Sequence, residues 1–145
     1  MRNNNQMTLS FLSRSANEGF ARAAVAAFVS QLDPTLDELA DIKTAVSEAV
    51  TNAIVHGYGT PDGIVTIECC LSDTVVTITV SDTGRGIPDI PLAIQPMYTH
   101  SDDTERSGMG FTVMETFMDT MTVESEPGHG TTVTMTKAIN QQKSN

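Results

Sequence analysis

The chain is best understood from one stretch, Glu48-Ala-Val-Thr-Asn52-Ala-Ile-Val-His56-Gly57, which is predicted to end a long amphipathic helix. Glu48, Asn52 and His56 recur every four residues, so on a helix they form one row beside the apolar stripe. We expect this row to lie at the edge of the core, facing a cleft. It is either a solvated helix edge or an oxygen-rich flank on which Asn52 holds magnesium and Glu48 accepts a proton.

A second motif, Asp82-Thr-Gly84-Arg-Gly86, follows a predicted strand. Asp82 shares its parity with the apolar residues of that strand, so it is predicted to point to the buried face, where a carboxylate needs a partner. It either caps the next turn or accepts a hydrogen bond from an exocyclic amine such as that of adenine. Gly84 and Gly86 would let the backbone approach the base closely.

The third motif, Ser107-Gly108-Met109-Gly110, precedes a predicted helix. Free amides at a helix start suit phosphates, although a lone pair of glycines is also common there. The sequence contains no G-x-x-x-x-G-K-[ST] motif, and its three histidines lie in unrelated contexts, so neither a Walker site nor a zinc site is favoured. Together the three motifs predict a nucleotide site without a P-loop.

The pattern of apolar residues predicts the remaining elements. A strand is expected over residues 7–11, and a helix from a capping box at Ser15 and Glu18, with an apolar stripe that includes Phe20 and Phe28, to Leu32. A second capping box at Thr35 starts the helix that ends near Gly57. Further strands are expected over residues 65–71, 76–80, 121–126 and 131–137, and a helix over residues 110–118. Residues 88–107 are predicted to form a lid loop, and residues 140–145 a polar tail.

Composition narrows the class of protein. The chain has 145 residues, of which 39% are hydrophobic, and this predicts one domain, residues 1–145. A net charge of -10 disfavours direct contact with nucleic acid. Cys69 and Cys70 are neighbours on a strand and cannot readily form a disulfide, so a reducing cytoplasm is expected. No signal peptide or membrane span is recognised, which predicts a soluble protein.

The order of the three motifs resembles the GHKL (Bergerat) ATPase superfamily, which includes DNA gyrase, the heat-shock chaperone, histidine kinases and the MutL protein. Within it, the whole chain is similar to the anti-sigma serine kinases of endospore-forming bacteria, most of all over residues 42–58 and 105–111. The resemblance implies an α+β fold, a two-layer sandwich whose mixed, mostly antiparallel sheet is covered by helices on one face.

The resemblance also implies roles for individual residues. Glu48 would be the general base, Asn52 the magnesium ligand and Asp82 the adenine contact. Arg106 would lie near the outer phosphate or the lid, and Arg22 on the first helix would contact a protein partner. The nucleotide site as a whole would comprise Asn52, His56, Asp82, Gly84, Gly86, Arg106, Ser107, Gly108, Met109, Gly110 and either or both of Thr131 and Thr132.

The function implied by the resemblance is that of an anti-sigma factor. Such a protein binds a sporulation sigma factor as a homodimer and uses ATP and Mg²⁺ to phosphorylate a serine of an anti-anti-sigma protein, leaving ADP. The chain is too short to hold a phosphoacceptor-histidine domain or a topoisomerase transducer domain as well. Two alternatives stay open: a nucleotide-gated sigma-binding module without kinase activity, and a stress-response anti-sigma kinase with the same chemistry but other partners.

Overall fold

The computed structural model describes residues 4–86 and 110–140. Within these ranges the chain forms five strands and three α-helices, and a short 3₁₀ turn follows the first helix. The strands are β1 (Asn5–Leu12), β2 (Ile64–Ser72), β3 (Val75–Asp82), β4 (Thr120–Glu126) and β5 (Gly130–Ala138), and the helices are α1 (Asn17–Val29), α2 (Leu36–Thr51) and α3 (Phe111–Phe117).

The described strands form one sheet in the order β1-β2-β3-β5-β4. Every pairing between them is antiparallel, so the parallel component expected of a mixed sheet is not found among the described strands. The α+β class is confirmed. Strand residues that pack under the helices alternate with residues that face away from them, as a two-layer sandwich requires.

The register of the β2–β3 hairpin follows the predicted alternation. Val65, Ile67, Cys69 and Leu71 of β2 are buried in the core, together with the apolar residues of β3 at positions 76, 78 and 80. Cys69 is fully buried, whereas Cys70 lies on the opposite face and is partly exposed, and both are free thiols. A one-residue slip would exchange the two faces, so burial of the apolar set fixes this register.

Helix α2 begins as the sequence predicts. The Thr35 hydroxyl accepts a hydrogen bond from the Glu38 backbone N–H at 3.1 Å, and the Glu38 carboxylate accepts one from the Thr35 N–H at 2.9 Å. This capping box satisfies two backbone donors that the helix itself leaves unpaired. The helix then buries Ile42, Val46 and Val50 against the sheet and α1.

The last turns of this helix, Asn52–Tyr58, are π-helical. The Gly59 N–H donates to the Ile54 carbonyl oxygen at 2.9 Å, a bond that spans five residues instead of four. Gly59 then ends the helix with a positive φ of 69°, which glycine adopts without strain. The sequence places the end of the helix correctly but does not anticipate the wider turn.

Two predictions for α1 are wrong. Its first residue is Asn17, and the preceding Ala16 has helical backbone angles without a side-chain cap, because the Glu18 carboxylate binds α2 instead of closing a box with Ser15. The buried stripe also differs in part: Ala21, Val25 and Val29 face the core, and Phe20 is 55% exposed. Phe28 packs against the core and Leu32 is buried, as predicted. This helix is apolar on most sides, so periodicity alone does not choose which side is buried.

The predicted lid at residues 88–107 lies outside the described residues, as does nearly all of the predicted tail. The prediction of a single domain over residues 1–145 therefore stays a prediction. In the part of the chain that is described, no helix is both long and apolar enough to cross a bilayer.

The two cysteines give a direct test of the sheet faces. Burial, and to a lesser degree the neighbouring Cys70, raise the pKa of the Cys69 thiol to about 12, so at pH 8 only about one Cys69 in ten thousand is a reactive thiolate. We expect iodoacetamide to modify Cys70 in the native protein and both cysteines in urea. Native Cys69→Ser should then label as wild type does, and Cys70→Ser should not label. Rapid labelling of Cys69 in the native protein would contradict the assigned register.

Candidate nucleotide-binding site

A pocket opens between the end of α2 and the sheet. Its floor is formed by β3 and β5 and its wall by α2 and α3. The lining residues come from segments that are far apart in the sequence: Ala49, Asn52, Ala53, His56, Gly57, Val80, Asp82, Gly86, Phe111, Thr131 and Val133. The pocket therefore combines an apolar wall with a few polar groups, as small-molecule sites usually do.

Asp82 is the buried carboxylate of this pocket, with only 8% of its surface exposed. Its oxygens accept hydrogen bonds from the backbone N–H groups of Gly84, at 2.9 Å, and Thr131. Burial raises the pKa of the Asp82 carboxyl group above its usual 3.8, and the two backbone hydrogen bonds offset part of that rise. Asp82 thus caps the following turn and also lines the pocket, so the two interpretations of this residue are compatible.

The close approach of two backbone segments holds Asp82 in place. The Arg85 N–H donates to the Gly57 carbonyl oxygen at 2.9 Å, and a Cβ atom on Gly84 would clash with that carbonyl. A Cβ atom on Gly57 would lie 2.9 Å from the Asp82 carboxylate carbon. Glycine is therefore required on both segments for steric reasons.

Gly86 joins this turn to the β4–β5 hairpin. It has a positive φ of 77°, and a Cβ atom there would clash with the carbonyl oxygen of Glu126. The neighbouring Arg85 carbonyl accepts a hydrogen bond from Gly128 at 2.7 Å. The Asp82–Gly86 segment is thus fixed at one end by the helix and at the other by the hairpin.

The row of polar residues on α2 lies where the spacing predicts. Glu48, Asn52 and His56 are all partly buried, and Asn52 and His56 line the pocket that contains Asp82. Glu48 lies one turn away and contacts Gly110, where a Cβ atom would clash with the carboxylate oxygen. Glu48 also lines a separate groove on the surface of α1 and α2. It therefore stands at the boundary between pocket and groove.

Arg22 lies in that groove and not in the pocket. Its guanidinium is 3.6 Å from the Glu18 carboxylate, and the same carboxylate oxygen accepts a hydrogen bond from the Ser47 hydroxyl at 2.7 Å. The Arg22 side chain is 43% exposed, so it remains accessible from outside. Ser47 directly precedes Glu48, so the Arg22 cluster is attached to the same turn of α2.

Of the two threonines predicted at the base edge, only Thr131 lines the pocket. It pairs with Asp82 across β3 and β5, whereas Thr132 is the next residue along the strand and points to the opposite face. Thr132 does not line this pocket, so its position near the base edge stays a prediction. Arg106, Ser107, Gly108 and Met109 lie outside the described residues, and Gly110 is the only described member of that motif.

Sequence reasoning missed part of the site. Phe111 is fully buried and forms an apolar wall, and Gly57 allows the Asp82 turn to approach the helix. The sequence signal for Gly57 was its position directly after the polar row, but its contact with Asp82 depends on tertiary structure.

The described part of the pocket does not by itself supply a full set of metal ligands. Among the described residues, no three His, Cys, Asp or Glu side chains form a metal-binding group. Asn52 offers an amide oxygen at the pocket wall. This donor set fits magnesium, which commonly takes one or two protein oxygens and completes its shell with phosphate oxygens and water.

Comparison with known proteins agrees with this architecture. The family model described as the histidine kinase-like ATPase domain matches residues 11–137. A chain with the RsbU and RsbW domains of a Mycobacterium tuberculosis protein superimposes with a TM-score of 0.67 at 20% identity, over 97% of this chain and 34% of that longer chain. The catalytic domain of histidine kinase ThkA gives 0.56 at 16% identity, covering 92% and 96%. Fold and pocket thus define a nucleotide-binding domain of the histidine kinase-like ATPase class.

The similar sequences narrow this class. An anti-sigma F factor of Clostridium botulinum (strain Alaska E43 / Type E3) is 61% identical over 94% of this chain and 96% of its own length. An anti-sigma F factor of Thermoanaerobacter sp. (strain X514) is 60% identical, with coverages of 96% and 97%. The chain belongs to the anti-sigma F factor family.

The raised pKa of Asp82 predicts a pH-dependent stability of the nucleotide-free protein. The folded protein holds the Asp82 proton more tightly than the unfolded chain does, so protonation of Asp82 stabilises the fold. This contribution to the free energy of unfolding is complete below pH 3.8 and is lost as the pH rises through the raised pKa of Asp82. The free energy of unfolding of wild type, relative to that of Asp82→Asn, should therefore rise as the pH falls from 7 to 4. Urea denaturation of both proteins from pH 4 to pH 8 measures this; a difference between them that does not change with pH would contradict it.

Proposed function

We propose that this chain is an anti-sigma factor that binds a sporulation sigma factor in the cytoplasm and, with Mg-ATP, phosphorylates a serine of an anti-anti-sigma protein. The observation that carries the proposal is the position of Glu48, at the boundary between the pocket of Asp82 and the groove of Arg22. A base placed there can reach a nucleotide on one side and a partner protein on the other. The names of the similar sequences support the sigma factor as a partner.

The pocket suits an adenine nucleotide. We infer that the Asp82 carboxylate accepts a hydrogen bond from the exocyclic amine of adenine, beside Thr131, while Gly84 and Gly86 keep the backbone close to the base. His56 and Asn52 line the wall toward Glu48, in the direction in which the phosphates would extend. Arg106 and the motif Ser107–Gly110 are proposed to enclose the phosphates.

We assign the magnesium ligand to Asn52, because this residue lines the pocket wall and its side chain carries an amide oxygen. When bound, the ion would neutralise charge on the phosphate oxygens.

The chemical step then depends on Glu48. The serine oxygen of the partner forms a bond to the γ-phosphorus as the bond from that phosphorus to the ADP oxygen breaks, and the Glu48 carboxylate takes the serine proton. This carboxylate lies beside Gly110, a residue of the motif that is proposed to hold the phosphates. Glu48, which would then carry the proton, is partly buried and lies at the boundary between the pocket and the groove.

The partner surface is proposed to include Arg22. Its accessible guanidinium lies in the groove that also contains Glu48, so a protein bound there would present its serine to the base. The assembly is proposed to be a homodimer that pairs through β1, which lies at the edge of the sheet formed by the described strands. Neither nucleic acid nor a membrane is proposed as a partner. A stress-response anti-sigma kinase would differ from this proposal in its partners and not in its chemistry.

Asp82→Asn tests the adenine contact. Loss of a charge-assisted hydrogen bond costs roughly 1.5 to 3 kcal/mol, so we expect ATP and ADP to bind about ten- to a hundredfold more weakly. Calorimetric titration measures the affinity, with the exposed Asp62→Asn as the matched control at wild-type affinity. Unchanged binding to Asp82→Asn would refute the contact.

Glu48→Gln separates a kinase from a nucleotide-gated binding module. The variant should bind ATP as wild type does but transfer phosphate to the anti-anti-sigma protein about 10² to 10⁴ times more slowly, because the proton acceptor is lost. Radiolabelled ATP and detection of phosphoserine measure transfer, and the exposed Glu68→Gln is the control. Transfer at the normal rate in Glu48→Gln would remove its assigned role, and tight ATP binding without transfer by wild type would favour the binding module.

A further inference from the structure

The hydroxyl group of Tyr58 connects three backbone segments at the end of the π-helical turn. It donates a hydrogen bond to the Ile64 carbonyl oxygen at 2.6 Å and accepts one from the Thr83 backbone N–H at 2.7 Å. The Thr83 hydroxyl lies 3.1 Å away and completes the cluster. Hydrogen bonds this short, made at both the donor and the acceptor side of one hydroxyl, define its position closely.

The Tyr58 ring is held as firmly as its hydroxyl. It lies against Gly63, where a Cβ atom would clash with the ring atoms. The glycine thus creates a slot for the ring, and the ring directs the hydroxyl to the far end of β3. Rotation of the ring out of this slot would break the bonds to Ile64 and Thr83 together.

Thr83 is the residue between Asp82 and Gly84, so this hydroxyl acts on the turn that carries the buried carboxylate. The same turn is attached to the preceding residue of the helix, because the Arg85 N–H donates to the Gly57 carbonyl oxygen at 2.9 Å. Two consecutive residues of the helix therefore hold the turn at two points on either side of Gly84. The Gly84 N–H in turn donates to the Asp82 carboxylate at 2.9 Å.

We infer that Tyr58 is a positioning residue for base recognition: through Thr83 its hydroxyl sets the direction of the Asp82 carboxylate toward the exocyclic amine of the nucleotide. The inference rests on the proposed function, in which Asp82 binds adenine. Tyr58 itself does not line the pocket, so it acts through the turn and not through contact with the ligand. Its effect is therefore expected on the recognition of one group of the base rather than on nucleotide binding in general.

A matched control lies in the same loop region. The buried Ser13 hydroxyl donates to the Thr60 carbonyl oxygen at 2.6 Å and accepts from the Gly63 N–H at 2.9 Å. Like Tyr58, it joins two backbone groups through a single hydroxyl, but neither group belongs to the Asp82 turn. Ser13→Ala and Tyr58→Phe each remove one hydroxyl that joins two backbone groups; the first releases Gly63, against which the Tyr58 ring lies, and only the second removes a bond to the Asp82 turn.

The experiment compares two ligands within each protein. ATP and purine riboside triphosphate, which lacks the 6-amino group, are titrated calorimetrically into wild type, Tyr58→Phe and Ser13→Ala. We expect wild type to prefer ATP by about tenfold or more, and Tyr58→Phe to lose about three- to tenfold of that preference while its affinity for the analogue stays unchanged. Ser13→Ala should keep the wild-type preference. Because the preference is a ratio within one protein, any unfolded fraction cancels.

The possible failures are distinguishable. If wild type binds both ligands equally, the proposed adenine contact is wrong and the inference fails with it. A wild-type protein that prefers ATP and a Tyr58→Phe variant with the same preference would overturn the role of Tyr58 alone. Equal weakening of both ligands in Tyr58→Phe would assign the residue a structural role and would also overturn the inference.

Discussion

The site depends on the burial of one carboxylate beneath the close contact of two backbones. Asp82 is nearly inaccessible, and its charged form is tolerated because backbone N–H groups are directed at its oxygens. Those donors stay in place because the turn after β3 lies against the end of the helix at Gly57, where a side chain on either Gly57 or Gly84 would separate the two segments. The helix end, the turn and the sheet edge are therefore one unit, and a change in any of them alters the environment of the carboxylate.

Much of the fold follows from local patterns. The alternation of β2 and β3 identified their buried faces, and the capping box at Thr35 identified the start of α2. The side of α1 that is buried could not be predicted in the same way, because that helix offers apolar residues on most sides and its orientation is set by packing against α2. Phe20 was expected in the core and is largely exposed, while the smaller Ala21 is buried. The start of α1 could not be predicted from local sequence either, because Glu18 binds Ser47 of α2 instead of capping the helix.

The site, like the fold, has a part that sequence patterns predict and a part that depends on tertiary structure. Spacing on α2 and parity on β3 predicted that Asn52, His56 and Asp82 would face one cleft, and all three line the pocket. Choosing between Thr131 and Thr132 required the register of β3 with β5, which single-strand patterns do not contain. The role of Gly57 could not be predicted for another reason. This residue contributes by having no side chain, and that matters only because a second segment of the chain packs against it.

The π-helical turn ties the function of this protein to the exact number of residues in its longest helix. A turn of this kind holds more residues than an α-helical turn, so it shifts the phase of everything that follows it. Deletion of one residue between 52 and 58 would allow the helix to return to regular α geometry and would remove the wide turn that carries Asn52, His56 and Gly57 at the pocket. Over evolutionary time the segment should therefore accept substitutions far more readily than changes of length. A homologue with a deletion here would be expected to lack the site.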